Sequence, residues 1–172
     1  MSKSPREEAL AAAKAAFGFV PNLMTAMADG NPAVAKAYLA ASGALAGSVL
    51  RPAEKQAVML AVSAHNGCHY CTAAHRTAGK SMGIDQADLD ALDSETPPTD
   101  ARLATLAAAT REVLSERGWV DANRVGVTRE ELYEIVAIVG LKTITNYINH
   151  IAKTEIDPPF VAQASRSAST PK

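Results

Sequence analysis

Cys68 and Cys71, the only cysteines of the chain, lie in the run Ala64-His65-Asn66-Gly67-Cys68-His69-Tyr70-Cys71-Thr72-Ala73-Ala74-His75. Two thiols separated by two residues can close a disulfide across one helical turn. A cysteine at a helix start has its thiolate favoured by unpaired first-turn N–H groups and by the helix dipole. Gly67 supplies a bend directly before Cys68, which predicts that the pair opens a helix. On that helix Cys71 and His75 are i and i+4 and share a face, so the imidazole is placed to hold or move the Cys71 proton. The chemistry this allows is peroxide reduction. One thiolate attacks an O–O bond and becomes a sulfenic acid, the other condenses with it to a disulfide, and an external dithiol restores the pair. His75 favours Cys71 as the attacking sulfur and Cys68 as the resolving one, the reverse of the order in thioredoxin-type sites.

The same residue types allow two other readings. Cys68, Cys71 and His75, joined by His65 or His69, offer four soft or borderline ligands for zinc. Zinc ligands usually come as two separated pairs in a small, core-poor domain, whereas this chain is long enough to fold without metal, so no metal and no organic cofactor are expected. Inert buried cysteines are the third possibility. His65 precedes the bend and reads as a packing or hydrogen-bonding residue. Asn146, Asn149 and His150 fall on an otherwise apolar helix and read as a satisfied polar network in a core or interface, in preference to catalysis.

The elements that position the pair are helical throughout. Alanine is abundant and aromatic residues make up 5% of the 172 residues, which suits close-packed helices. Helices are predicted at 6–16, from Asn31-Pro32 to about Leu45, from Pro52 to Asn66-Gly67, from the cysteine pair to near Gly83, and from Asp85 to near Leu92 with Asp88 as capping partner. After a loop at 93–99, a helix opens at Asp100 and runs to about Arg117. Thr128 and Glu131 form a capping box for a long helix that Pro158-Pro159 ends. Pro21-Asn22 reads as a turn. No stretch alternates with period two, so the fold class is all-α.

Length predicts one domain, a helical unit at 1–160 with its redox core at about 50–83 and a disordered tail at 161–172. A net charge of −1 with scattered basic residues excludes a nucleic-acid surface, and no apolar run approaches the roughly 20 residues of a membrane span. The N-terminal residues have no apolar segment of the signal-peptide kind, and two cysteines without an export signal predict a reducing, cytoplasmic location.

The stretch Leu50–Ser63 followed by Asn66-Gly67-Cys-x-x-Cys-x-x-x-His resembles the alkylhydroperoxidase AhpD / carboxymuconolactone decarboxylase family. Gly18-Phe19-Val20-Pro21-Asn22 and Leu141-Lys142-Thr143-Ile144-Thr145-Asn146-Tyr147 resemble it too, and the likeness covers roughly 17–155. It implies an AhpD-like helical bundle that oligomerises as a trimer or hexamer. For members with both cysteines it implies reduction of organic hydroperoxides at the expense of a lipoylated or thioredoxin-like reductant. The decarboxylase branch lacks the pair.

In the peroxidase members a glutamate twelve residues before the first cysteine joins the histidine in a proton relay. Here that position is Gln56, which can orient His75 but cannot take up a proton. Glu54 lies on another side of the helix and reads as a dipole-compensating acid. Tyr70 stands where the family often has histidine, and its hydroxyl is able to donate to a peroxide oxygen. The site expected is therefore Cys71 attacking, Cys68 resolving, His75 activating, with Gln56 and Tyr70 positioning. These departures predict slower peroxide turnover or a different oxidised substrate. General dithiol–disulfide exchange, or a non-enzymatic redox-sensing or zinc-binding helical module, is the alternative.

Overall fold

Prolines and short polar caps divide the chain into eight helices in the computed structural model, which describes residues 3–164. They are α1 (Pro5–Phe17), α2 (Asn22–Gly30), α3 (Pro32–Ala44), α4 (Pro52–His65), α5 (His69–Ser81), α6 (Gln86–Asp93), α7 (Ala101–Ser115) and α8 (Arg129–Ala152), followed by a 3-10 turn at Pro158–Gln163. No strand occurs among the described residues. Three of the caps read from sequence are in place. The Asn31 side chain accepts from the Ala33 N–H at 3.0 Å, Asp100 accepts from Leu103, and Thr128 and Glu131 satisfy each other's backbone N–H groups.

Helix α4 is the axis of the fold. It packs on α5, α6, α7 and α8, and Val58, Leu60, Ala61 and Val62 on it are fully buried. Its two sides feed separate apolar clusters, one shared with α7 and α8 and one with α6 and α7. A third cluster joins α1, α2 and α3 to Cys68, Tyr70 and Cys71 at the start of α5, so the cysteine pair sits in the core.

Four local expectations are corrected. Residues 22–30, read as following a turn, form α2, because burying Leu23, Met24, Met27 and Ala28 on one face outweighs a weak local signal. Asp88 does not cap α6. Its carboxylate is buried and accepts from the Thr99 N–H (2.6 Å) and Oγ1 (2.8 Å), tying down the loop before α7. The last long helix ends at Ala152, where Lys153 turns left-handed (φ 50°), well before Pro158. Residues 161–163, expected to begin a disordered tail, continue the 3-10 turn; residues 165–172 lie outside the described residues.

Glu54 does more than offset the α4 dipole. Its carboxylate accepts from the Arg51 N–H (2.7 Å), from Arg51 Nη2 (2.9 Å) and from Arg102 Nε of α7 (2.8 Å), and Arg102 continues to Glu131 of α8. Burial would raise this carboxyl, but the hydrogen bonds from Arg51 and Arg102 outweigh it and hold its pKa at about 2. One acid thereby links the N-terminal ends of three helices.

Candidate active site

Gly67 carries the bend between α4 and α5 with φ 65°, a left-handed conformation glycine adopts without strain. Cys68 follows as the N-cap of α5, in extended backbone, and its N–H bonds to the Ser63 carbonyl at 2.9 Å. Cys71 then falls in the first helical turn. Both residues are 1% exposed and both thiols are free. Cys71 differs from Cys68 in lining a cavity of about 420 Å3, walled by Phe17, Phe19, Leu23, Met24, Tyr38 and Phe160 together with Gln56, Tyr70, His75 and Lys142.

The two sulfurs are electrostatically unequal. The Cys68 S–H donates to Cys71, which pushes Cys71 down and Cys68 up, and burial raises Cys68 further. Burial also opposes the Cys71 thiolate. Against it stand the Lys142 charge and hydrogen bonds from Asn146 and Asn149, with Asn149 Nδ2 at 3.1 Å from Cys71 Sγ, and the thiol ends well below the ordinary value. Lys142, Asn146 and Asn149 are i, i+4 and i+7 on α8 and form one polar stripe turned to the start of α5. Asn146 is itself held by Asn66 Nδ2 (2.9 Å).

His75 is half-buried and lines the same cavity. Its Nδ1 lies 2.9 Å from Gln56 Oε1, an acceptor, which fixes a proton on Nδ1 and leaves Nε2 free to accept. Burial and then the Lys142 charge hold its pKa well below the usual 6.5, so the ring is neutral near pH 7. The i, i+4 spacing brings His75 and Cys71 to one cavity, and among the described residues no hydrogen bond joins His75 to either sulfur.

Tyr70 departs from its expected role. Its hydroxyl donates to the buried Asp157 carboxylate and accepts from the Leu23 N–H at 3.4 Å, so the proton meant for a peroxide oxygen is already committed. Burial and then the bond to Asp157 push its pKa up. Asp157 also accepts from the Asn22 N–H (3.1 Å), and the Tyr70 ring meets Phe160 edge-on at 6.1 Å, so this tyrosine fastens the segment after α8 over the cavity.

The remaining polar residues separate. Asn146 and Asn149 are buried, as a core network requires, but they face Cys71, and His150 is exposed and stacked on Tyr147 instead of joining them. His65 and His69 are exposed, with His65 beside Glu95, and no three metal-binding side chains converge among the described residues. Lys142 was missed from sequence. Its signal is a lysine in register with two amides in the C-terminal half of α8, which carries no acid.

This is an all-helical AhpD-like protein with a cysteine pair at a helix start. Residues 32–112, which contain Gln56, both cysteines and His75, match the carboxymuconolactone decarboxylase family model, and the chain is an AhpD-like member of that family. None of the curated proteins matches the chain. Among solved structures it is similar to a peroxidase-related protein with an alkylhydroperoxidase AhpD core from Ralstonia eutropha JMP134, at TM-score 0.76 and 21% identity over 97% of this chain and 90% of that one. A peroxidase-related protein from Silicibacter sp. TM1040 gives TM-score 0.74 and 19% identity over 92% and 88% of the two chains. The debrominase Bmp8 gives 0.70 and 19% over 92% and 89%, and a cysteine-to-alanine form of it is solved with 2,3,4-tribromopyrrole. At these identities the structural likeness establishes the fold.

Proposed function

We propose that the protein is a thiol-dependent peroxidase that reduces organic hydroperoxides through a Cys68–Cys71 dithiol–disulfide cycle. The observation that carries this reading is the asymmetry of the pair. Cys71, held toward thiolate by three hydrogen-bond donors, opens onto an apolar cavity, while Cys68 donates to it from the enclosed side. The Cys71 thiolate attacks the terminal oxygen of ROOH, the O–O bond breaks, and its electron pair leaves on an alkoxide that is protonated to the alcohol. The Cys68 sulfur then displaces hydroxide from the Cys71 sulfenic acid and gives up its proton, releasing water and forming the disulfide. A lipoylated or thioredoxin-like protein of the cytoplasm returns two electrons and two protons. The cavity's six large apolar walls favour an alkyl or aryl hydroperoxide over hydrogen peroxide.

The aromatic walls Phe17, Phe19, Tyr38 and Phe160 also suit a flat ring. With the likeness to Bmp8, they favour one second reading, reductive debromination. There the same two thiols supply two electrons, a carbon–bromine bond becomes carbon–hydrogen, and bromide leaves. The test is turnover of the reduced protein with excess dihydrolipoamide and either cumene hydroperoxide or tribromopyrrole. Catalytic loss of the hydroperoxide alone supports the proposal. Bromide release alone moves the assignment to debromination, and neither product refutes both.

A homo-oligomer is part of this reading. Outward on α8 lie Tyr133, Val136, Ile144, Tyr147 and Ile151, with Ala137 and Gly140 between them. Spacings of three and four suit a second α8 laid antiparallel. In that register Gly140 faces Ile144, Ala137 faces Tyr147, and Glu130 approaches Lys153 of the second copy. Such a two-fold contact by itself closes a dimer, and a hexamer arises only where a three-fold contact joins it; a simple trimer does not contain it. Ile144→Lys should lower the assembly mass by half or more in sedimentation; an unchanged mass would remove α8 from the interface.

A further inference from the structure

The cavity holds one cation and no acid. Lys142 is 3% exposed, lines the cavity beside Cys71, His75 and Gln56, and among the described residues has no carboxylate within ion-pair distance. Other enclosed basic side chains are matched: Lys55 donates to the Leu45 and Ala46 carbonyls with Glu134 at 3.5 Å, and Arg76 meets Asp90 and Asp93. A buried ammonium without a counter-charge is costly, so a native core keeps one only where some anion faces it. The groups available are few. Cys68, Cys71, Tyr70 and His75 come from α5, Gln56 from α4 and the phenol of Tyr38 from α3, and Asp157, beyond Tyr70, is already engaged by the tyrosine and by Asn22. The anion left is the Cys71 thiolate.

We infer that Lys142 is a catalytic residue, the counter-charge of the Cys71 thiolate and the proton donor to the alkoxide released when the O–O bond breaks. The inference rests on the peroxidase reading for its second half only. With glutamine at 56 and a neutral imidazole at 75, a carboxylate–histidine relay has no charged member, and a fixed ammonium takes over its electrostatic work. In the step itself the Lys142 N–H proton passes to the alkoxide oxygen as the bond to Cys71 forms. The resulting amine regains a proton when the disulfide is next reduced, taking the one that Cys71 gives up as it returns to thiolate. Asn149 Nδ2 and Asn146 keep the sulfur in place throughout, from the same stripe of α8.

The test reads thiolate formation without any peroxide. Iodoacetamide alkylation of Cys71, located by peptide mass, is followed against pH in the parent chain, Lys142→Met and Lys142→Arg. Lys142→Met should move the midpoint up by at least one pH unit, about tenfold less thiolate below both midpoints, while Lys142→Arg stays close to the parent. Under the peroxidase assay Lys142→Met should also lose roughly 100-fold in rate, the cost of removing one aimed donor. An unshifted alkylation midpoint overturns the inference whatever the protein does with hydroperoxide. A shifted midpoint in a protein that ignores hydroperoxides keeps the ion pair and refutes the donor role together with the peroxidase assignment. Should Lys142→Met fail to fold, the charge is read from the other side. With Lys142 intact, Cys71→Asp should melt higher than Cys71→Asn, and the opposite order would contradict a cation facing that position.

Discussion

Cys71→Ser should bring hydroperoxide-driven thiol oxidation to background, a loss of at least about 1,000-fold of the kind seen when a nucleophile is removed. Cys68→Ser should give a different failure. Serine keeps a donor to Cys71, and the cavity wall is unchanged because Cys71 is the cysteine that lines it. The first step therefore persists. One equivalent of hydroperoxide should be consumed once, leaving a sulfenic acid at Cys71 that dimedone traps and no disulfide. The contrast follows from burial and charge. Cys68 is enclosed and pushed up by donating to its neighbour, so its protonated form is the leaving-water donor of the second step. Dimedone adduct appearing at Cys68 in Cys71→Ser, with consumption intact, would reverse the roles. The two variants need no assumption about which reductant serves the cycle.

Glu54→Gln should cost about 2 kcal/mol, lowering the melting temperature by roughly 4–8 °C. The carboxylate accepts from the N-cap N–H of α4 and from two arginines, and a neutral amide keeps one oxygen for three donors while burying an N–H2 against guanidinium groups. The effect has a pH signature. The folded carboxyl titrates at about 2 against an ordinary 4.5, so it binds protons more readily in the unfolded chain. Its stabilisation is complete above 4.5 and is lost as pH falls toward 2. The parent and Glu54→Gln should accordingly differ most near neutrality and converge at the acid end. Equal melting temperatures at pH 7 would show that Arg51 and Arg102 find other partners and that the link among α4, α7 and α8 is ornamental.

Much of the architecture is written in short-range chemistry. Asn31-Pro32, Asp100 and Thr128 with Glu131 are local caps whose geometry depends on two or three neighbours, and each helix start they mark is present. Helix α2 and the 3-10 turn are not local in this sense. Nine residues with few charges hold their helix because Leu23, Met24, Met27 and Ala28 are buried by other elements, and Phe160 is fixed by Phe19 and Tyr70. Asp88 shows the competition directly: a capping spacing was available, but Thr99 offered two better-placed donors.

The site divides the same way. The CxxC pair, the Gly67 bend and the partnership of Gln56 with His75 follow from spacing on two consecutive helices. What spacing cannot supply is the third wall. Lys142, Asn146 and Asn149 are distant along the chain and reach Cys71 only because α8 crosses α4 and α5. The reading of the two asparagines as a core network described their burial and missed what they face. Tyr70 illustrates the converse error, a side chain of suitable chemistry whose proton is taken by Asp157, a residue beyond the helices used to reason about it.

The most direct measurement is a stopped-flow mixing of fully reduced protein with one equivalent of cumene hydroperoxide, followed by thiol counting and intact mass. The account predicts loss of two thiols per hydroperoxide, a mass lower by two hydrogens and a Cys68–Cys71 disulfide that dihydrolipoamide reopens. Retention of both thiols, or loss of one with no disulfide formed, would contradict it.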